Sequence, residues 1–138
     1  MRLIVDTNIV VGALIRREGD TRKLLFSPQL ELFSPEISKL EMVRNKADFM
    51  SKAKLDESGF SRALDIVFEN VSIVPFKQYK LAHREALSLC PPWHEDDWPF
   101  FALALAKKCA LWSNDKKLKS QPKIRVLATH ELLKALGK

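Results

Sequence analysis

The sequence predicts an α/β protein, a three-layer α/β/α sandwich built on a parallel sheet of about five strands. Short aliphatic runs alternate along the chain with longer stretches whose apolar residues repeat with the period of a helix. The short runs read RLIV, LELF, VSIV, ALWS and IRVLA. This alternation is typical of a parallel sheet covered by helices on both faces. The 138 residues, of which 46% are apolar, are enough for one buried core, so residues 1–138 are expected to form a single domain.

The first half of the chain contains two of these strands and three predicted helices. Arg2–Val5 is expected to be a buried strand, and Asn8 is expected to cap the helix IVVGALI that follows it. Asp20 is expected to cap the short helix TRKLLF. After the strand LELF, the residues SPE predict the start of a helix that runs at least through Val43 and carries Glu41.

The second half of the chain continues the pattern. Helices are predicted over residues 56–70 and 79–90, with the strand VSIV between them ending at Pro75. Asp97 is expected to cap the helix WPFFALALAKK, which is apolar nearly all round and should therefore be packed on several sides. The strands ALWS and IRVLA follow, and Thr129 is expected to cap a terminal helix.

Composition excludes several classes of protein. The two cysteines do not suggest a disulfide framework, and no uncharged apolar run reaches the length of a membrane span. The N-terminus has no secretion signal, so a cytoplasmic protein without membrane contact is expected. A net charge of +6 and a pI near 9.4 favour an anionic partner such as nucleic acid. The absence of a glycine-rich phosphate loop argues against nucleotide binding.

Four acidic residues stand where the predicted fold could gather them. Asp6 follows the first strand and Asp115 follows the fourth, and a parallel sheet places the carboxyl ends of its strands on one side. Glu41 lies in a helix, and Asp97 opens another. Clustered carboxylates repel one another unless they are protonated, have basic neighbours or bind a cation. If a cation is bound, ligands that are all oxygen favour Mg²⁺ or Mn²⁺ over Zn²⁺.

Each of these residues also has an ordinary structural explanation. A lone aspartate at a strand end, such as Asp6, is usually a cap or turn residue, and Asp97 is already explained as a helix cap. Glu41 is compatible with a solvated helix surface, and Asp115 with a β-turn. A phosphatase with Asp6 as its nucleophile is disfavoured because position 8 is Asn8 rather than a second aspartate.

The residues in this order resemble the PIN-domain nuclease family. The likeness is carried by VDTN after the first strand, by Glu41 within SPEISKLEMV, by DDWPFFALALA and by SND after ALW, and it extends over nearly the whole chain. The resemblance implies that Asp6, Glu41, Asp97 and Asp115 hold one or two Mg²⁺ or Mn²⁺ ions. It also implies that the protein is an endoribonuclease that hydrolyses the phosphodiester bonds of RNA.

Further residues next to these four are expected to support them. Thr7 and Ser113 are candidates for hydrogen bonds that hold the carboxylates in place, and Asp96 is a candidate for an assisting role. Because Asp96 and Asp97 are adjacent, either of them is a candidate for the third metal ligand, and Asp97 is chosen. Lys116 and Lys117 are expected to contact the phosphate backbone of the substrate.

The resemblance also concerns partners. Many small members of the family are toxins of prokaryotic toxin–antitoxin pairs and are commonly dimeric, which implies an antitoxin protein and a homodimer here. Residues 56–90 carry no motif typical of the family. The alternative hypothesis is a catalytically inactive PIN-like module that only binds nucleic acid.

Histidine, cysteine and tryptophan give weaker signals. Cys90, His94 and Cys109 would lack a fourth ligand for zinc, so His94 is expected at the surface or in the core rather than at a metal site. Trp93 is compatible with base stacking but is expected to pack within the core or the loop. Neither residue is therefore placed in the predicted site.

Overall fold

A computed structural model describes residues 1–16 and 18–138 of the chain. Its sheet has five strands, all parallel, in the order β3-β2-β1-β4-β5. The strands are β1 (Arg2–Val5), β2 (Glu31–Pro35), β3 (Val71–Val74), β4 (Ala110–Trp112) and β5 (Val126–Leu127).

Eight α-helices in the described part of the chain connect and cover the strands. They are α1 (Thr7–Ile15), α2 (Asp20–Leu25), α3 (Glu36–Arg44), α4 (Lys46–Ala53), α5 (Glu57–Asn70), α6 (His83–Leu89), α7 (Trp98–Lys107) and α8 (Thr129–Ala135). Short 3₁₀ helices lie at Phe76–Gln78, Lys80–Ala82, Glu95–Asp97 and Lys116–Ser120. No described helix has the length and apolarity needed to cross a bilayer.

Two hydrophobic cores lie on opposite faces of the sheet. Along β1, Leu3 and Val5 belong to the core formed with α1 to α5 and α8, whereas Ile4 belongs to the core formed with α6 and α7. This division follows from the alternation of side chains along a strand. The buried face of α7 includes Phe101, which is fully buried in the second core. The predicted three-layer α/β/α sandwich with a parallel sheet of five strands is confirmed.

Several predicted helix starts were wrong by one or two residues. The N-cap of α1 is Asp6 rather than Asn8, because the Asp6 carboxylate accepts a hydrogen bond from the backbone N–H of Ile9. The N-cap of α2 is Gly19 rather than Asp20. Gly19 has a φ of 146°, which a residue with a side chain rarely adopts.

The start of α3 and the end of the chain also differ from the prediction. Ser34 extends β2, and its hydroxyl donates a hydrogen bond of 2.9 Å to the Val5 carbonyl, so α3 begins only after Pro35. The Thr129 hydroxyl does not cap α8, because it accepts a hydrogen bond from the Trp112 indole N–H. The predicted strands ALWS and IRVLA are present but shorter than expected.

Residues 45–90, which include the region without a family-typical motif, are also arranged differently from the prediction. The helix predicted over residues 79–90 is α6 preceded by a separate 3₁₀ turn, because Tyr79 has a φ of −128° and a ψ of 0°, outside the helical region. The helix α4, after α3, was not predicted. The helix predicted over residues 56–70 is present as α5, with Asp56 as its N-cap.

The strand order creates a crevice at one edge of the sheet. From β1 the chain moves to β2 and β3 on one side, and later to β4 and β5 on the other, so connections leave β1 and β4 in opposite directions. Ligands bind α/β sheets at such a switch point, outside the carboxyl ends of the strands. Here the Asp6 N–H donates to the Trp112 carbonyl at 3.2 Å, which joins the ends of β1 and β4.

Candidate metal centre

Asp6 lies at the switch point and is buried, with 8% of its surface exposed. One of its oxygens, Oδ1, accepts the Ile9 N–H at 2.9 Å. The pKa of the Asp6 carboxyl is raised to about 6, because burial and, to a smaller extent, the nearby Asp97 and Asp115 carboxylates raise it more than hydrogen bonding to Ser113 and Ile9 lowers it. At neutral pH Asp6 therefore carries a negative charge that the protein alone compensates poorly.

Asp115 is held at the end of β4 in a similar way. Its Oδ1 accepts the N–H of Lys117 at 3.0 Å, and its own N–H donates to the Ser113 hydroxyl at 3.1 Å. Its other oxygen, Oδ2, lies 3.8 Å from Nδ1 of His94. Asp115 thus uses one oxygen for the local turn and directs the other toward the crevice.

Asp97 stands before the first residue of α7, but its side chain does not cap that helix. Its Oδ2 instead lies 3.4 Å from Nδ1 of His94. Burial raises the pKa of the Asp97 carboxyl, contact with His94 lowers it, and the Asp115 and Asp96 carboxylates raise it. Asp97 is therefore the N-cap residue of α7, as predicted, but its carboxylate makes no capping hydrogen bond and faces His94 instead.

Glu41 reaches the crevice from the second turn of α3. Burial raises the pKa of its carboxyl, hydrogen bonding to the Thr7 hydroxyl lowers it, and the Asp97 carboxylate raises it again. The carboxylate of Asp96, which is exposed, also raises the pKa of Glu41. The Asp97 carboxylate raises the pKa values of both Asp6 and Glu41, so it is an electrostatic neighbour of each.

The three side chains whose ligating atoms come closest are not the predicted set. Among the described residues, one ligating atom each of His94, Asp97 and Asp115 lies within 4.8 Å of the others. Asp6 and Glu41 interact with these carboxylates electrostatically but are not part of that group of three. His94, which was expected at the surface or in the core, lies beside two of the predicted ligands. The signal in the sequence was its position three residues before Asp97, which one turn of helix converts into proximity.

A divalent cation fits these residues. Burial is the main cause of the raised pKa values of Asp6, Asp97 and Glu41, and the charges of neighbouring carboxylates raise them further. A cation among them would remove this repulsion, and carboxylate oxygens are the ligands that hard divalent ions prefer. Zinc held by cysteine does not fit, because burial raises the pKa of the Cys90 thiol to about 11 and the thiol donates to the Ala86 carbonyl.

Two exposed features surround the centre. Lys116 and Lys117 are exposed on the 3₁₀ helix after Asp115, and neither pairs with a carboxylate in the described part of the chain. Trp93 is 93% exposed, so the expectation that it packs in the core or the loop was wrong. Its φ of 68° is a left-handed conformation that is uncommon for a residue with a side chain.

Comparison with known proteins identifies the fold and the family. A sequence model described as the PIN domain matches residues 4–132. The chain belongs to the PIN domain family. The match covers nearly the whole of this PIN domain and includes Asp6, Glu41, Asp97 and Asp115. No curated protein is similar enough in sequence to count as a match.

Solved structures with the same fold include two VapBC proteins. The crystal structure of VapBC2 from Rickettsia felis, bound to a DNA fragment from their promoter, has a TM-score of 0.68 and 20% identity, over 93% of this PIN domain and 98% of that chain. The 2.2 Å structure of VapBC-1 from nontypeable Haemophilus influenzae has a TM-score of 0.68 and 18% identity, over 94% and 99% of the two chains. At these identities the likeness concerns the fold.

Proposed function

We propose that this PIN domain is a ribonuclease that depends on Mg²⁺ or Mn²⁺. The observation that carries the proposal is the Asp97 carboxylate, which makes no capping hydrogen bond to its helix and lies among other acidic side chains in the crevice. Asp6, Glu41, Asp97 and Asp115 are the residues that would hold the ion. Together they supply oxygen ligands from four different elements of the fold.

The chemistry divides between the ion and the protein. A divalent cation, when bound, would supply positive charge that stabilises the negative charge developing on the phosphoryl oxygens as water attacks the phosphodiester. Asp6 and Asp115 are oriented by the backbone N–H groups of Ile9 and Lys117, so their free oxygens keep a defined position. If a single ion is bound, Glu41 is the carboxylate proposed to position the attacking water or accept its proton, while the other three hold the ion.

The substrate in this proposal is RNA. The net charge of +6 attracts a polyanion, and Lys116 and Lys117 bring two exposed cations next to Asp115. Thr7 and Ser113 are assigned a supporting role, because Thr7 lowers the pKa of Glu41, Ser113 lowers that of Asp6, and the Ser113 hydroxyl accepts the Asp115 N–H at 3.1 Å. Asp96, which is exposed beside Glu41, is assigned an assisting role.

Cleavage of a fluorogenic single-stranded RNA tests this function. Cleavage is expected with Mg²⁺ or Mn²⁺ and not with EDTA, and Asp97→Asn is expected to lower kcat by about 100-fold or more. The matched control is Asp65→Asn, which changes an exposed aspartate on α5 and should leave kcat unchanged. Cleavage that persists in EDTA, or full activity of Asp97→Asn, would refute the proposal. RNA binding without any cleavage would instead support an inactive binding module.

The role of the two lysines is tested separately. The double change Lys116→Ala and Lys117→Ala is expected to raise KM several-fold and to lower the salt dependence of RNA binding, with kcat nearly unchanged. The control is the double change Lys134→Ala and Lys138→Ala, which removes two exposed lysines at the C-terminal end of the chain. Equal effects of the two double variants would mean that only total charge matters.

A protein partner is the second part of the proposal. The two VapBC proteins with the same fold lead us to propose that this chain is the toxin of a toxin–antitoxin pair, held inactive by an antitoxin, and that it forms a homodimer. Co-expression with the product of an adjacent small gene should suppress RNA cleavage and yield a stable complex. Size-exclusion chromatography with light scattering would measure the mass of the chain alone and test the homodimer.

A further inference from the structure

His94 lies between two of the proposed ligands although the predicted site was purely acidic. Its Nδ1 is 3.4 Å from Oδ2 of Asp97 and 3.8 Å from Oδ2 of Asp115. An ordinary N–H···O hydrogen bond is about 2.7 to 3.2 Å long, so both distances exceed a direct hydrogen bond. The imidazole therefore lies near both carboxylates without a short hydrogen bond to either.

The two separations from Nδ1 of His94 fall in the range expected for atoms that share one ion. With bonds of about 2.1 Å, neighbouring ligands of an octahedral ion lie about 3 Å apart and opposite ligands about 4.2 Å apart. The three atoms of His94, Asp97 and Asp115 all lie within 4.8 Å of one another. Small side-chain adjustments are enough to bring all three to a common centre.

The backbone holds His94 in this place. The His94 N–H donates to the Pro91 carbonyl, and the His94 carbonyl accepts the Asp97 N–H, both at 3.0 Å. His94 and Asp97 are thus joined by a tight turn that presents their side chains together. Asp115 reaches the same imidazole from the segment that follows β4.

We propose that Nδ1 of His94 is a metal ligand of this centre and shifts its preference from Mg²⁺ toward Mn²⁺. Mg²⁺ binds oxygen ligands almost exclusively, whereas imidazole nitrogen binds first-row transition ions well. A site of carboxylates with one nitrogen therefore retains Mn²⁺ more strongly than Mg²⁺. The inference rests on the metal centre of the proposed function, but not on ribonuclease activity.

Pulsed electron paramagnetic resonance of Mn²⁺ bound to the full chain tests this directly. At pH 7.5 the unaltered protein is expected to show the coupling of a directly bound ¹⁴N nucleus, and labelling histidine with ¹⁵N should change that coupling. His94→Gln should remove the signal. The control His130→Gln, at an exposed position on α8, should retain it.

Calorimetric titrations with MnCl₂ and MgCl₂ supply the second readout. His94→Gln is expected to weaken Mn²⁺ binding by about tenfold or more and to change Mg²⁺ binding much less, which lowers the selectivity ratio. Bound Mn²⁺ without nitrogen coupling in the unaltered protein would overturn the His94 inference and leave the carboxylate centre standing. No Mn²⁺ binding to the unaltered protein would overturn both.

Discussion

Replacing Asp6 by asparagine is expected to stabilise the metal-free protein at neutral pH, although Asp6 is central to the proposed site. The pKa of Asp6 is raised from 3.8 to about 6 in the folded state. A change of one in pKa corresponds to about 1.4 kcal/mol, so ionised Asp6 costs the folded state about 3 kcal/mol at pH 7.5. Asparagine carries no charge and therefore avoids this cost.

Two local effects reduce the expected gain only in part. Asparagine can still accept the Ile9 N–H, so the cap of α1 is retained. The favourable interaction of a negative charge with the N-terminus of α1 is lost, at about 0.3 to 1 kcal/mol. The net gain in the free energy of unfolding is therefore expected to be about 2 kcal/mol.

The direction of the pH dependence follows from the raised pKa. Between about pH 4 and pH 6 the folded state holds a proton on Asp6 that the unfolded chain releases. The free energy of unfolding of the unaltered protein therefore falls as the pH rises through this range, and this contribution is absent from Asp6→Asn. Most of the stability difference should disappear at pH 4.5.

Urea denaturation in EDTA at pH 4.5 and 7.5 measures these free energies. The control is Asp65→Asn, which changes an exposed aspartate and should differ little from the unaltered protein at either pH. Equal or lower stability of Asp6→Asn at pH 7.5, or a gain that does not depend on pH, would refute the reasoning that burial makes the Asp6 charge costly.

Three further predictions concern the metal and the fold. Saturating Mn²⁺ is expected to raise the Tm of the unaltered protein by about 5 to 10 °C but not that of Asp97→Asn; equal shifts in differential scanning calorimetry would contradict a site at Asp97. Lys108→Gly is expected to stabilise the fold by about 1 kcal/mol, because Lys108 ends α7 with a φ of 54°; lower stability in urea would contradict this. Phe101→Ala is expected to destabilise it by about 3 to 5 kcal/mol, because Phe101 is fully buried, and a loss below 1 kcal/mol would argue against that packing.

Local patterns in the chain were sufficient to predict the layers of the fold. Each strand of the sheet overlaps an aliphatic run, and α7 is apolar nearly all round, in agreement with its buried position. Helix ends were predicted less well, since a cap depends on which side chain reaches a particular N–H. Asp6 caps α1 in place of Asn8 because its carboxylate, two residues nearer the strand, reaches Ile9. That choice depends on backbone angles which periodicity does not describe.

Residue type and order, without coordinates, were enough to predict that Asp6 and Asp115 follow two strands at one edge of a parallel sheet, because strands follow from local runs of apolar residues. The inclusion of Glu41 and Asp97 depended on the resemblance to the PIN domain family. The folded chain alone reveals that the Asp97 side chain makes no capping hydrogen bond and that His94 lies beside Asp97 and Asp115. Such contacts join residues from separate elements, and their distances depend on strand order, twist and loop path. Those quantities arise from packing over the whole molecule and have no local signature in the sequence.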